Sequence, residues 1–406
     1  MKKCYIWGTG KAAQKFYSCV KNQTKVLGFI DNDKNKWGEK FEGKSVFGAN
    51  AIIDYDYIFV SVRQYEPVAY QLKMMRFEDD KILYLFEEGA EFVLQEIDFI
   101  DVNKWKVFLL EEENNKLKNR LNNAVFENYK IIDNENYWFP TIASNKDAVK
   151  KITQERCSMI RFGDGEFEVL SGRNRAPFQI TTQELSHRLK EAILYDDKEL
   201  LIAIADIYGS LSAYTEQIAD GMRSYLTPKV RQEHLRFLQK NKIYYNALLF
   251  KTYMPYRDKE KTSSRIQLIK EIWNKKNIII VEGDKTRSGI GNDLFDNANS
   301  IKRILAPTKN AYDKYEEIIT NIKKIEKDKL ILMALGPAGK VMALDLFKAG
   351  YQVVDIGQLD MDYDWYKAGL GYKVPNKYKY VSQLPEYEVL DIDDEEYLSQ
   401  ILYKID

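Results

Sequence analysis

The chain has 406 residues, and its basic and acidic side chains number 61 each, so the formal net charge is zero. This length predicts two or three domains with cores of their own, and an apolar content of 45% is typical of a globular protein. The balanced charge argues against nucleic acid as a partner. The three cysteines, Cys4, Cys19 and Cys157, show no CxxC spacing, which fits a reducing compartment. We found neither a signal-peptide pattern nor an apolar run of about 20 residues, and therefore expect a cytoplasmic protein without a transmembrane segment.

Residues 1–95 alternate short apolar strands with helical stretches, which predicts a small α/β domain with a parallel sheet. The first strand runs into a Gly-Thr-Gly turn and a helix, and an acid follows the second strand. This is the dinucleotide fingerprint in its G-x-G-x-x-A form, and it indicates a Rossmann-like unit. Many such units are structural or regulatory, so the ligand is less certain than the fold. The nucleotide-site residues that the fingerprint predicts are Gly8, Gly10, Ala13 and Asp31.

Residues 96–135 are charged and rich in Asn, which predicts a helical linker. Leu110, Leu117 and Leu121 fall on one face of this helix. That face suits either a solvated connecting helix or a short coiled-coil seam. In the second case the chain would form a homo-oligomer through the linker.

Residues 136–406 show a second α/β pattern, in which strands such as Ser158–Phe162 and Asn277–Val281 alternate with helices. Several of the strands end in polar loops that contain glycine. In open α/β sheets, ligands bind outside the carboxyl ends of the strands. We therefore expect these loops to form one composite site.

The first of these loops has the sequence RFGDGE and carries Asp164 and Glu166. In extended or turning backbone, side chains two residues apart point the same way. Two such carboxylates suit Mg²⁺ or Mn²⁺, which also take oxygens from a substrate diphosphate. The alternative is an ordinary surface turn, since Gly-Asp-Gly is common turn chemistry.

The second loop, residues 282–293, carries Arg287, Gly289 and Gly291, which suit close approach to a phosphate. Its alternative is a long turn capped by Asn292 or Asp293. The third loop places Gly336 and Pro337 at the start of a helix, where backbone N–H groups attract anions. It is not a P-loop, because Val follows Lys340 where that motif has Ser or Thr.

The fourth loop, residues 355–365, alternates acids with apolar residues. These acids could hold sugar hydroxyls, add a metal ligand or supply a base. The alternative is a half-buried strand with its acids in water. We expect the two histidines, His187 and His234, on exposed faces of charged helices, which argues against a zinc site or a Ser-His-Asp arrangement.

Over residues 140–370, these four motifs in this order resemble the bacterial glycosyltransferases of the GT-D fold. That family was first catalogued as a domain of unknown function and is linked to glycosylation of surface adhesins. The resemblance implies metal-dependent sugar transfer from a UDP-sugar, with Asp164 and Glu166 as the Asp-x-Glu motif. Many members carry His where this chain has Gln358. Residues 1–95 resemble a nucleotide-sugar-associated Rossmann-like domain that occurs beside sugar acetyltransferases.

The sequence therefore predicts an α/β protein with two Rossmann-like parallel-sheet domains, 1–95 and 136–406, joined by a helical linker over 96–135. We expect it to move a hexose from a UDP-sugar to a glycan or glycoprotein acceptor with Mn²⁺ or Mg²⁺. For an inverting reaction Asp360 and Asp362 are the candidate bases, because the amide of Gln358 accepts no proton near neutral pH. The predicted donor-binding residues are Arg161, Gly163, Arg287, Gly289, Gly291, Asn292, Asp293, Gly336 and Pro337.

Two other functions stay open. One is a nicotinamide-dependent nucleotide-sugar oxidoreductase that uses the N-terminal fingerprint, although the chain offers no Tyr-x-x-x-Lys or catalytic Cys constellation for it. The other is a scaffold for glycan assembly that binds a nucleotide-sugar without turnover.

Overall fold

The computed structural model describes residues 1–128, 138–173, 179–384 and 387–406. The chain divides into two compact units. The first contains residues 1–118, 372–375 and 382–388, and the second contains residues 119–371, 376–381 and 389–406. The predicted domain boundaries stay a prediction, and residues 129–135 of the predicted linker lie outside the described residues.

The first unit is built on a six-stranded sheet with the order β3-β4-β2-β1-β5-β6. Every neighbouring pair is parallel except β3–β4 at one edge. Its strands are β1 Lys3–Trp7, β2 Lys25–Ile30, β3 Lys40–Phe41, β4 Lys44–Phe47, β5 Tyr57–Val60 and β6 Ile82–Tyr84. Its helices are α1 Lys11–Val20, α2 Glu66–Met74, α3 Ala90–Gln95 and α4 Val102–Glu127, of which residues 119–127 belong to the second unit.

Apolar side chains from α1, α4 and the sheet form one core of the first unit. Trp105 of α4 is fully buried and packs edge-on against Phe16 of α1, with ring centroids 5.4 Å apart. Phe16 in turn contacts Phe59 of β5 at 4.8 Å. Aromatic burial of this kind anchors the inner face of α4 to the unit.

The second unit is built on a nine-stranded sheet with the order β15-β12-β11-β13-β14-β8-β9-β10-β7, and all its neighbouring strands are parallel. Its strands are β7 Thr141–Ile142, β8 Ser158–Phe162, β9 Leu200–Ile204, β10 Ile243–Asn246, β11 Asn277–Gly283, β12 Ser300–Ala306, β13 Leu330–Ala334, β14 Gln352–Asp355 and β15 Ile401–Lys404. Its helices are α5 Asn145–Gln154, α6 Asp164–Leu170, α7 Gln183–Leu194, α8 Glu216–Tyr225, α9 Pro228–Leu235, α10 Thr262–Lys270, α11 Tyr315–Ile322, α12 Gly336–Lys348, α13 Leu359–Lys367 and α14 Glu395–Gln400.

The central strands of this sheet are buried along almost their whole length, as expected for a parallel sheet between two layers of helices. Two large apolar clusters line the sheet. Because all nine strands run the same way, their carboxyl ends meet at one edge. The predicted α/β class with two parallel-sheet domains is confirmed. In the described part of the chain, no helix is long and apolar enough to cross a membrane.

Candidate active site

The four loops singled out in the sequence all leave the sheet at this carboxyl edge. They follow β8, β11, β13 and β14, and β8 and β14 are direct neighbours in the sheet. The chain therefore brings the predicted motifs of the second unit to one side of one sheet. This edge is the candidate active site.

Asp164 and Glu166 begin a helix and do not lie in extended backbone. Helix α6 starts at Asp164, and Glu166 turns back so that its Oε2 accepts the backbone N–H of Gly163 at 2.8 Å. The prediction that the two side chains point the same way is therefore wrong, because residues two apart on a helix diverge by about 200°. Asp164 is exposed, whereas the side chain of Glu166 is only 14% exposed.

A buried chain of alternating charges fixes Glu166. Arg161 of β8 donates through Nε to the backbone oxygen of Asp355 at 2.7 Å, and its Nη2 lies 3.2 Å from Oδ1 of that residue. Lys340 of α12 places its Nζ 3.0 Å from Oδ2 of Asp355 and 3.3 Å from Oε1 of Glu166. The four charges sum to zero, so the network can stay ionised without bound counterions.

The two cations hold Asp355 in its charged form. Burial acts against that form, but Arg161 and Lys340 outweigh it and keep the pKa of Asp355 below its ordinary value. Burial likewise opposes the charge of Lys340, but Asp355 and Glu166 outweigh it and raise the pKa of the ammonium. Gly357 allows this packing: it has a φ of +52°, and a Cβ there would lie 2.1 Å from Nη2 of Arg161.

The described residues contain no group of three or more His, Cys, Asp or Glu side chains that could hold a metal ion. Oxygen ligands from one or two carboxylates, completed by substrate phosphates, are the usual set for Mg²⁺. Exposed Asp164 fits such a site as its protein part, whereas both carboxylate oxygens of Glu166 are engaged by Gly163 and Lys340.

His234 lies behind Asp164, and the prediction that it is a surface residue is wrong. Its ring is 1% exposed and stacks on Phe167 of α6 at 3.9 Å. Its Nδ1 lies 2.9 Å from the hydroxyl of Tyr208, and its Nε2 lies 3.0 Å from the hydroxyl of Tyr225. His187 is exposed, as predicted.

Tyr225 connects this histidine to the candidate metal site. Its hydroxyl donates to the backbone oxygen of Asp164 at 3.3 Å. That donation requires the proton of His234 to be on Nε2, so Nδ1 accepts from Tyr208. The result is a directed chain of hydrogen bonds that ends on the first residue of α6.

Lowering the pH should destabilise the protein through His234. Burial lowers the pKa of His234 from 6.5 to about 3, so the unfolded chain binds this proton at a higher pH than the folded chain does. The contribution of neutral His234 to the free energy of unfolding is therefore complete above pH 6.5 and is lost as the pH falls toward 3. It amounts to roughly 3–5 kcal/mol across that window. We expect H234Q to flatten the dependence of unfolding free energy on pH in urea titrations. The exposed match H187Q should keep the wild-type slope, and equal slopes for both variants would refute this assignment.

A second buried cluster joins the loop after β11 to helix α13. Oδ1 of Asp360 accepts the backbone N–H of Gly289 and the amide of Asn292, both at 2.7 Å. Oδ2 of Asp360 pairs with Lys379 at 2.7 Å, and the same ammonium pairs with Asp364 at 2.8 Å. Burial and the charge of Asp360 raise the pKa of Asp364, and the nearby Lys379 and Asn292 only partly offset this rise.

Asp362 points away from that cluster. Its carboxylate is fully buried and accepts the backbone N–H groups of Thr252, Tyr253 and Met254, together with the hydroxyl of Thr252. Asp360 and Asp362 point in different directions because both lie on helix α13. The alternative of a half-buried strand with its acids in water is wrong for the same reason.

Arg287 is turned inward at this edge. Its Nη1 donates to the backbone oxygens of Tyr378 and Leu390 at 2.8 and 2.6 Å, and the residue is 5% exposed. It has a φ of +52°, and the glycines that follow it, Gly289 and Gly291, also have positive φ. The loop is thus a strained turn held by carbonyl groups of the later chain.

The other predicted donor residues lie at the same edge. Gly336 begins helix α12 with Pro337 in its first turn, as predicted, and that turn carries no acid. The carboxylate of Asp293 accepts the hydroxyl of Tyr363 at 2.8 Å and pairs with Lys367 at 3.1 Å. The helix start therefore keeps an anion-binding character, whereas Asp293 is engaged by α13.

In the first unit, the predicted nucleotide-site residues adopt the expected strand-turn-helix arrangement. Gly8 has a φ of +110°, Gly10 precedes α1, and Ala13 is buried in the helix. Asp31 accepts the hydroxyl of Thr9 and pairs with Lys36 at 2.9 Å. The carboxylate that would bind a ribose in a dinucleotide site is thus already engaged by a cation.

A model of the family described as the glycosyltransferase GT-D fold matches residues 159–384, which is more than half of the chain and includes all four motifs. The chain belongs to the GT-D glycosyltransferase family. The predicted family is thereby confirmed, and membership makes the second unit a glycosyltransferase domain. Residues 1–83 match the model of a C2185-like N-terminal domain. The predicted nucleotide-sugar association of that domain stays a prediction.

Two curated GT-D relatives come from streptococci. The probable glycosyl transferase Gly of Streptococcus gordonii is 33% identical over 267 residues, which are 64% of this chain and 38% of that protein. Glycosyltransferase GlyD of Streptococcus pneumoniae serotype 4 is 33% identical over 256 residues, which are 63% of this chain and 31% of that protein. The match thus spans well under half the length of either relative.

Known structures show the same fold. A new glycosyltransferase from Streptococcus sanguinis, of the group called domain of unknown function 1792, is 32% identical with a TM-score of 0.62 and covers 66% of this chain and 100% of that one. A structure described as a highly conserved domain with a distinct glycosyltransferase fold has the same identity and TM-score and covers 66% and 96%.

Sequence reasoning missed several residues of this GT-D edge. Asp355 ended a predicted strand, and strand-end position was the signal that could have marked it as part of the site. Lys340 was considered only as part of a failed P-loop. For His234 and Lys379 the sequence offered no motif, because their partners, Tyr225 and Asp360, lie on other elements of the fold.

Proposed function

We propose that the second unit moves a hexose from a UDP-sugar to a glycan or glycoprotein acceptor in a reaction that depends on Mn²⁺ or Mg²⁺. The observation that carries the proposal is the start of α6. There Asp164 is exposed at the carboxyl edge, while Glu166 is fixed by Lys340 and by the N–H of Gly163. Family membership supports the reaction type.

Asp164 would hold the metal in this mechanism, and the predicted second ligand, Glu166, would join it by exchanging its contact with Gly163 or Lys340. When bound, the ion neutralises the charge that develops on the leaving diphosphate. The start of α12 would bind the donor phosphates through backbone N–H groups of its first turn such as that of Gly336, while Pro337, which has no N–H, would shape the turn. Lys340, which is itself held by Asp355, keeps Glu166 in place at the sheet edge.

The contacts of Asp360 and Asp362 support structural roles. Each accepts several hydrogen bonds and is at most 2% exposed, so a proton acceptor there would have to break those bonds first. Their role as bases stays a prediction. We propose Asp206, which follows β9, the neighbour of β8 in the sheet, as the base of an inverting transfer. The side chain of Asp206 reaches solvent, although the surrounding protein removes part of its hydration and so raises the pKa of its carboxyl group. The backbone oxygen of Asp206 accepts the hydroxyl of Tyr214 at 2.7 Å.

Substituting Asp206 tests this role. We expect D206N to slow sugar transfer on the order of 100-fold, the usual range for a lost general base, with donor affinity nearly unchanged. Transfer rate and calorimetric UDP affinity are the two measurements, and the anomer of the product is determined first. A retained anomer, or an unchanged transfer rate, would remove Asp206 from the reaction.

The proposed function itself is tested by a screen of nucleotide-sugars for hydrolysis by the full chain, which needs no acceptor. We expect one UDP-hexose to be hydrolysed, chelator to stop the reaction, and Mn²⁺ or Mg²⁺ to restore it. Full activity in chelator would exclude the metal. Tight binding of a nucleotide-sugar without hydrolysis or transfer would favour the scaffold, and oxidation or reduction of nicotinamide would favour the oxidoreductase.

A further inference from the structure

Helix α4 has one buried face and one exposed apolar face. Trp105 and Phe108 pack into the core of the first unit, and Glu112 pairs with Lys11 and Arg63. The opposite face leaves four large apolar side chains in solvent, with exposed fractions of 54–74%. They are Val107 at 56%, Leu110 at 69%, Leu117 at 54% and Leu121 at 74%.

These exposed residues follow the heptad repeat of a coiled coil. In a heptad lettered a to g, apolar residues at a and d face the partner helix. Val107 and Leu121 take a positions, and Leu110 and Leu117 take d positions, with Asn114 at the central a position. The buried residues of α4 fall at b, c and f, so folding of the chain leaves the whole seam accessible.

We infer that α4 pairs with α4 of a second copy of this chain as a parallel, in-register, two-stranded coiled coil. The inference is independent of the proposed reaction. Isolated coiled coils of this length are marginal, since forming the helices is itself unfavourable. Here each helix is already formed and anchored by its inner face. Pairing therefore carries the cost of association but not the cost of forming the helices.

Charge complementarity supports a second copy as the partner. In a parallel pair, each g residue meets the e residue of the next heptad on the other helix. Lys106 would then face Glu111 of the second copy, and Glu113 would face Lys118 of the second copy. Both contacts occur twice by symmetry, and all of them join opposite charges.

Asn114 selects the parallel arrangement. An antiparallel pair centred between positions 114 and 117 would also join opposite charges, but it would place each Asn114 against a leucine. The amide would then be buried without a partner, which costs roughly 1–3 kcal/mol. In a parallel, in-register pair the two Asn114 side chains meet and bond to each other. A buried Asn at one a position specifies register and a two-stranded state in this way.

Cysteine cross-linking of the full chain tests the pairing. The native cysteines are buried, so a new surface cysteine can be oxidised selectively. We expect L110C to form a disulfide-linked dimer in high yield, because the two copies of position 110 adjoin in a parallel pair. In the antiparallel pair they would lie about 16 Å apart along the axis. The matched control N115C, on the same helix but outside the seam, should stay largely uncross-linked.

Sedimentation of unmodified protein gives the second arm. Wild type should form dimers at micromolar concentration, L117E should be monomeric at the same concentration, and N115E should behave as wild type. Both substituted side chains are exposed, so unfolding temperatures should stay within a few degrees and separate loss of pairing from loss of folding. A monomeric wild type, or equal cross-linking at positions 110 and 115, would overturn the inference. Dimers that survive L117E would overturn it as well.

Discussion

Replacing Asp164 by Asn should lower nucleotide-sugar hydrolysis by on the order of 100-fold or more, with little change in stability. The side chain is exposed at the first position of α6, where its charge interacts with the helix dipole by about 0.3–1 kcal/mol, so we expect a small change in stability. The proposed metal loses its most accessible protein ligand. Replacing residues that only hydrogen-bond to a metal ligand already lowers metal affinity or activity about 10–100-fold. Replacing the ligand itself should lower them at least as much.

The matched control for this variant is E395Q. Glu395 is an exposed acid at the first position of another short helix, α14, so E395Q makes the same helix-dipole change away from the carboxyl edge. We expect E395Q to hydrolyse donor as wild type does. Mn²⁺ binding, followed by electron paramagnetic resonance, should weaken in D164N alone. Unchanged Mn²⁺ binding in D164N would show that the metal is held elsewhere, whatever happens to the rate.

The sheet of the second unit could be predicted from the sequence because its strands are buried on both faces. Such strands are mostly apolar runs, and Ser158–Phe162 was predicted with the bounds that the structure shows. The position of the site also followed from the predicted strands. Once the strands are parallel, the polar loops after them must share one edge.

Two helices at the site were mistaken for loops or strands, for physical reasons. Gly163-Asp164-Gly165 is common in turns, yet acids are also favoured in a first helical turn. Glu166 bonding back to the N–H of Gly163 is half of a capping box, a signal that could have been used. In α13, acids at positions 360, 362 and 364 alternate with apolar residues and imitate the period of a strand. A helix can carry acids in this pattern because buried partners neutralise or hydrogen-bond the acids that face inward.

Those partners explain why the charge networks could not be predicted. Arg161 meets Asp355, and Asp360 meets Lys379 in a segment that no motif marks. Such contacts depend on how distant loops pack at the edge, and local spacing carries no information about that packing.

Replacing Asp362 by Asn should destabilise the second unit by roughly 3–5 kcal/mol. The buried carboxylate accepts three backbone N–H groups and one hydroxyl, from Thr252, Tyr253 and Met254. An Asn side chain keeps one acceptor oxygen and turns an NH₂ group toward the other donors. At least one backbone N–H would then be buried without a partner.

Stability and turnover together distinguish this anchoring role of Asp362 from the predicted role of a base. An anchor predicts a large loss of unfolding free energy in urea, while the folded fraction at low temperature still hydrolyses donor. A base predicts nearly unchanged stability with a large loss of transfer rate alone. The control is D393N, which removes the charge of an exposed acid in the same unit and should change neither quantity. Because the four hydrogen bonds converge on one carboxylate, we expect the first pattern. Wild-type stability of D362N would show that the segment at residues 252–254 does not depend on the negative charge of Asp362.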